Sequence, residues 1–140
     1  MKNLANCSPT EFLRQTVKIK RAVERWLTVT EVMEIRRRLP HDIPTITGDM
    51  TREEKENAEK KRREAFDKQS RENLSAMFDS VMEEHPEETL EVLALCCFVD
   101  PADVDSHPMT YYLAAVMEMV QDEAVQGFFS LLMRSVQTGI

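Results

Sequence analysis

Glycine is scarce in this chain: three in 140 residues, at positions 48, 127 and 139. Gly-rich loops that cradle phosphates need glycines a few residues apart, so nucleotide chemistry of that kind is excluded. Cysteine is scarce and odd in number: Cys7, Cys96 and Cys97 form no closed set of pairs, and adjacent cysteines bridge only with strain, which points to a reducing cytosol. No apolar run approaches the roughly 20 residues that span a bilayer, and Met1-Lys2-Asn3-Leu4 is no signal peptide. A cytoplasmic protein without a membrane partner is therefore expected. Period-two alternation is also missing, and with it any expectation of a sheet.

Basic charge is short overall and nearly lacking towards the C-terminus. Lys and Arg number 18 against 25 acids, a net charge of −7, whereas a phosphate backbone is held by surplus cations. Residues 1–38 hold nine basic and four acidic side chains, residues 39–84 eight and twelve, and residues 85–140 one and nine. Such polarity attracts a basic partner to the C-terminal part, or draws two ends of one chain or of two copies together.

What the chain does contain is helix-forming pattern. Apolar residues make up 42% and charged residues 31%, the composition of a folded all-α protein, here a compact bundle of about five to six helices in one domain. Ser8-Pro9-Thr10-Glu11 is a capping box that opens a first helix at Pro9. Phe12, Leu13, Thr16, Val17, Ile19, Val23, Trp26 and Leu27 form its apolar stripe. A second, shorter helix follows Thr28–Glu31 and ends near Leu39, completing an N-terminal pair over residues 1–39. Residues 40–50, with Pro40, Pro44 and Gly48, read as a linker. Thr51-Arg52-Glu53-Glu54 caps a long charged helix over 51–84, whose first half is expected to project while Leu74, Met77, Phe78, Val81 and Met82 join the core. The C-terminal core, 85–140, opens at Pro86. Its segment Leu90–Val99 is apolar on every face, so it should be central. Asp100-Pro101 starts a short turn, Ser106-His107-Pro108 a helix carrying Met109 to Val120, and a break at Gln121-Asp122-Glu123 a last helix ending near Gly139.

Little in the sequence points to catalysis, and the protein is expected not to be an enzyme. His41, His85 and His107 sit beside prolines at segment starts, with only Asp103 spaced to help His107, so capping outweighs metal ligation. Cys96 and Cys97 lie in an apolar run without a neighbouring base and read as small hydrophobes. No catalytic, cofactor or metal residues are assigned. Arg36-Arg37-Arg38 reads as a solvated helix end, and Lys60 to Arg63 is offset by Glu56, Glu59, Glu64 and Asp67 at helical spacing.

Methionine is the anomaly: nine residues, including Met77, Met82, Met109, Met117, Met119 and Met133. Flexible, polarisable Met suits surfaces that accept varied apolar partners, although it also fills cores. The C-terminal helices carry more large apolar residues than so small a core hides. Met109, Tyr112, Val116, Met117, Val120, Phe128, Phe129, Leu132 and Met133 are therefore the expected partner-binding residues.

The stretch Glu87 to Pro101, then Val104-Asp105-Ser106-His107-Pro108, and the ending Glu123 to Phe129 with Leu131 to Arg134 resemble the tail assembly chaperones of siphophages and prophages of Gram-positive bacteria. The resemblance covers 85–134 better than 8–39. It implies a small helical protein, active in the cytoplasm of a bacterial host, that binds the tape measure protein and assists assembly of the major tail tube protein. Such a protein is absent from the finished virion, and homo-oligomerisation is compatible with the role. Two other classes fit: a helical nucleic-acid-binding or regulatory protein using residues 14–38, and a structural tail component.

Overall fold

A computed structural model describes residues 2–137, without the side chains of 132, 133 and 135–137. The fold is all-α, with no strand among the described residues. Six α-helices follow one another: α1 (Pro9–Thr30), α2 (Val32–Arg36), α3 (Arg52–Asp79), α4 (Pro86–Cys96), α5 (Met109–Gln121) and α6 (Glu123–Gln137). A π-helical turn, Ser80–Glu84, continues α3, and a 3-10 segment, Pro101–Ser106, precedes α5. The expected end near Gly139 lies outside the described residues.

The chain divides into two compact units, one of residues 1–26 with 86–140 and the other of residues 27–85. The division falls inside α1, not at the expected linker.

The caps are where the side-chain chemistry places them. Ser8 Oγ accepts from the Glu11 amide at 3.2 Å while the Ser8 amide donates to Glu11 Oε1 at 3.3 Å, a reciprocal capping box. Thr51 Oγ1 accepts from the Glu54 amide, Asp100 Oδ1 from Ala102 and Asp122 Oδ1 from Val125. Helix ends are less regular. Glu31 closes α1 at φ 54° and Phe98 follows α4 at φ 57°, left-handed positions that usually carry glycine. At Phe98 the two bonds of a Schellman motif are present, Val99 N–H to Ala94 O at 3.0 Å and Phe98 N–H to Leu95 O at 3.3 Å.

In the first unit, two groups of side chains form the core. Ala94, Cys97, Tyr112 and Ala115 pack with Leu93, Val99, Val104 and Tyr111. Leu4, Cys96 and Met119 pack with Phe12, Ile19, Val92, Val116 and Phe129, among others. Ala94 and Ala115, fully buried, let the backbones of α4 and α5 approach closely. Every residue from Glu91 to Val99 is buried or half-buried, as the all-round apolar pattern predicts. On α1 the inward face differs from the expected one. Leu13 and Val17 are exposed, and Gln15 is buried instead, its Nε2 donating to Leu95 O at 2.6 Å near the end of α4. Trp26 Nε1 donates to Thr89 Oγ1 at 2.9 Å, and Arg25 pairs with Glu91.

The second unit is held by polar anchors. Asn73, buried on α3, donates from Nδ2 to Arg38 O at 3.0 Å and Arg36 O at 3.4 Å, while Gln69 Nε2 holds its Oδ1 at 2.8 Å. Ser80 Oγ, seven residues later at the start of the π segment, donates to Thr30 O at 2.7 Å. Helix α2 stops at Arg36 rather than near Leu39, because Pro40 has no N–H to give Arg36 O and disfavours a helical Leu39, and Asn73 takes up the freed carbonyls of Arg36 and Arg38. The Asn73 and Ser80 bonds turn α3 so that Leu74, Phe78 and Met82 are exposed by 67%, 61% and 51%, and do not join the core as expected. The first half of α3 does not simply project either. Pro44, Thr45 and Met50 of the supposed linker share a groove with Glu54, Asn57, Lys61 and buried Ala58. Pro86 ends the π turn, since it forces His85 out of the helical region, to φ −132° and ψ 52°.

Replacing Asn73 by Ala leaves two carbonyls of α2 and its flank unsatisfied. The expected loss is about 1–3 kcal/mol in urea unfolding; an unchanged midpoint would disprove the anchor. Glu31→Gly should raise stability by about 0.5–1 kcal/mol, because glycine adopts the left-handed conformation without the Cβ conflict; thermal melts read the sign directly.

Candidate functional site

Helix α5 has two faces of opposite character. Inward, Tyr112, Ala115 and Met119 are buried. Tyr112 donates its hydroxyl to Val104 O at 2.6 Å, which fixes the 3-10 segment against α5. Tyr111 stands at 90° to Tyr112 and stacks on His107 with ring centroids 4.0 Å apart. Outward, Met109, Leu113, Met117 and Val120 are exposed by 46%, 49%, 54% and 52%. Their spacing of four, four and three residues makes one continuous apolar stripe of about three turns, roughly 16 Å long at 1.5 Å per residue.

The residues expected to bind a partner therefore separate. Met109, Met117 and Val120 share the exposed stripe. Tyr112 does not belong to it: its ring is in the core and its hydroxyl is used within the unit, so it is unable to present a surface to a partner. Val116 and Phe129 are half-buried against Leu4, Cys96 and Met119. Phe128 packs edge-on against Phe12 of α1 at 5.2 Å, so it fastens α1 to α6. The side chains of Leu132 and Met133 lie outside the described residues. Leu113 was missing from the expected set, although its place four residues from both Met109 and Met117 marks it as a member of the stripe. Leu131, also exposed, lines a shallow groove on α6 with Glu123, Gln126, Gly127, Ser130 and Arg134.

The charged residues along α5 and at the start of α6 are acidic. Glu118 and Glu123 are exposed and Asp122 half-buried, and Arg134 is the single basic residue of the chain beyond residue 84.

The potentially reactive groups sit elsewhere. Burial, with the neighbouring Cys97 thiol second, pushes the Cys96 thiol up to about 12, and burial pushes Cys97 up to about 11. Both are thiols at neutral pH, and the thiolate is the nucleophile, so neither is activated for attack or metal binding. Burial raises the Tyr112 phenol as well, with Cys97 next in effect. His41 and His107 are exposed and His85 is half-buried; among the described residues no three His, Cys, Asp or Glu groups converge as a metal site. Arg36, Arg37 and Arg38 are exposed, with the carbonyls of the first and last fixed by Asn73. No helix among the described residues is long and apolar enough to cross a membrane.

The raised thiols make the fold sensitive to base. A thiol whose folded pKa exceeds its unfolded value of 9.0 is stabilising below pH 9, and that contribution is lost as pH rises towards 11–12. Unfolding midpoints should fall over that window, and less so in a Cys96→Ala, Cys97→Ala variant measured beside it. At pH 7.5 an aromatic disulfide reagent should modify half-buried Cys7 at least about tenfold faster than the other two; equal rates would contradict their burial. Compared with protein-family models, curated proteins and solved structures, the chain has no significant match to any.

Proposed function

We propose that the protein is a non-catalytic binding protein that shields an amphipathic helical client, and that it serves as a tail assembly chaperone for a tape measure protein. The observation that carries the binding role is the exposed stripe Met109, Leu113, Met117 and Val120 in an acidic surround. A client helix with apolar residues at three and four spacing meets such a stripe along its length, and flanking Lys or Arg on the client meets Glu118 and Glu123. Two of the four residues are Met, whose flexible side chains accept clients of varied sequence. The choice of the tape measure as client rests on the resemblance in residues 87–108 and 123–134. A long helical protein with repeated apolar stripes is the kind of client this surface fits.

Co-expression with a siphophage tape measure protein tests both halves. A soluble complex should be recovered by pull-down, and Leu113→Glu with Met117→Glu should reduce recovery at least about tenfold while helical content is unchanged. Recovery should also fall as salt is raised, because the acidic surround then contributes less. No complex with any tape measure segment sinks the proposal, and so does a complex indifferent to the double substitution.

A further inference from the structure

We propose that the outward face of α1 docks an acidic amphipathic helix of another protein, on a surface separate from the α5 stripe. Leu13 and Val17, exposed by 62% and 47%, stand opposite buried Gln15 and Ala22. Beside them runs a row of exposed bases, Arg14, Lys18 and Arg21, at spacings of four and three residues. At about 100° per residue the three fall within about 60° of one another, so they share one edge of the face that Leu13 and Val17 occupy. Val17 and Arg21 are themselves four apart, so the apolar row leads into the basic one. Neighbouring cations on the helix are already matched: Lys20 pairs with Glu24 at 3.4 Å, and Arg25 pairs with Glu91. Among the described residues no carboxylate pairs with Arg14, Lys18 or Arg21.

Charge selects the occupant. Three cations within about 11 Å along one helix edge are matched by carboxylates at three and four spacing on a partner helix, whose apolar row then covers Leu13 and Val17 at the separation of packed helices, about 8–10 Å. A phosphate backbone fits this face less well. It makes no use of Leu13 and Val17, and the aromatics of α1, Phe12 and Trp26, are half-buried on the other side of the helix, so no base stacks here. Helix α1 carries five bases and two acids, +3, so the rest of the chain carries −10 of the total of −7. A long polyanion meets that remainder, whereas a helix of two or three turns answers to the local row, within a Debye length of about 8–10 Å. An anionic bilayer needs a broader apolar face than two side chains supply. The contact is smaller than the roughly 1,200–2,000 Å² of stable interfaces, so it is weak, with a Kd on the order of 10–100 µM at low salt.

The probe is a fluorescein-labelled helical peptide of about 18 residues, with Leu at three and four spacing and Glu along one flank, titrated with the full chain at about 50 mM salt. Anisotropy should report binding at least about tenfold tighter than that of a copy with Gln for every Glu, and at least about tenfold weaker in about 0.5 M salt. Arg14→Glu, Lys18→Glu and Arg21→Glu together should abolish binding, and Leu13→Ser with Val17→Ser should raise the Kd at least about threefold, both with helical content unchanged by circular dichroism. Leu113→Glu with Met117→Glu on α5 should leave the affinity within about twofold, which separates failure of this surface from failure of the client surface. No binding at low salt, equal affinity for the Gln copy, indifference to either set of α1 substitutions, or tighter capture by a duplex DNA of about 20 base pairs or by phosphatidylserine vesicles would each overturn the proposal.

Discussion

Side chains that reach helix-terminal carbonyls hold this fold together. The last carbonyls of a helix have no partner in their own ladder, and a buried one left unsatisfied costs on the order of 1–3 kcal/mol. Here several are met from neighbouring elements: Thr30 O by Ser80, Arg36 O and the flanking Arg38 O by Asn73, and Leu95 O, which also accepts from Phe98, by Gln15. Tyr112 does the same for Val104 O in the 3-10 segment. Each bond requires a particular atom at a particular place, whereas an apolar contact tolerates sliding. The helices are thereby fixed in register as well as held together.

This mode of docking has a consequence for the apolar residues. Where Gln15, Asn73 and Ser80 occupy the inward positions, the large aliphatic and aromatic side chains one or two places away are rotated outward. Leu13 and Val17 on α1, and Leu74, Phe78 and Met82 on α3 and its π turn, are exposed for that reason. On α5 the cause is different. Small Ala115 and the Tyr112 and Met119 side chains fill the inward face, and a second apolar stripe remains beside it because the helix is apolar over more than half its circumference.

Local chemistry made much of the fold legible. The capping boxes at Ser8 and Thr51, the Asp100-Pro101 and Asp122 breaks and the Pro86 start all act within four residues, and a single sequence carries that information in full. The inward face of α3 was not legible, because hydrophobic periodicity assigns Leu74 and Phe78 to the core and has no means of valuing an asparagine whose partners lie 35 and 37 residues away. The left-handed Glu31 was hidden for a related reason: Thr-x-x-Glu reads as a capping box with Thr28 at the N-cap, whereas α1 runs on to Thr30 and Glu31 itself stands between α1 and α2 without a side-chain cap bond. On α5, composition pointed to more large apolar residues than the core hides, and the spacing of the exposed Met109, Leu113, Met117 and Val120 was there to be read. Tyr112 was misplaced because an amphipathic side chain suits an interface and a core equally until its hydroxyl partner is known.

The energetics of the α5 stripe set the character of any binding it supports. Fully burying a Leu or Met side chain is worth about 1.5–3 kcal/mol, and these four are already about half covered, so a client gains only about 4 kcal/mol from them together. Association of two proteins costs at least about that much in lost translational and rotational freedom. Apolar contact alone would therefore not hold a helix on this stripe, and charge contacts would have to supply the remainder. A contact balanced in this way is weak and exchangeable. By the same arithmetic, two more half-exposed large residues would add only about 2 kcal/mol.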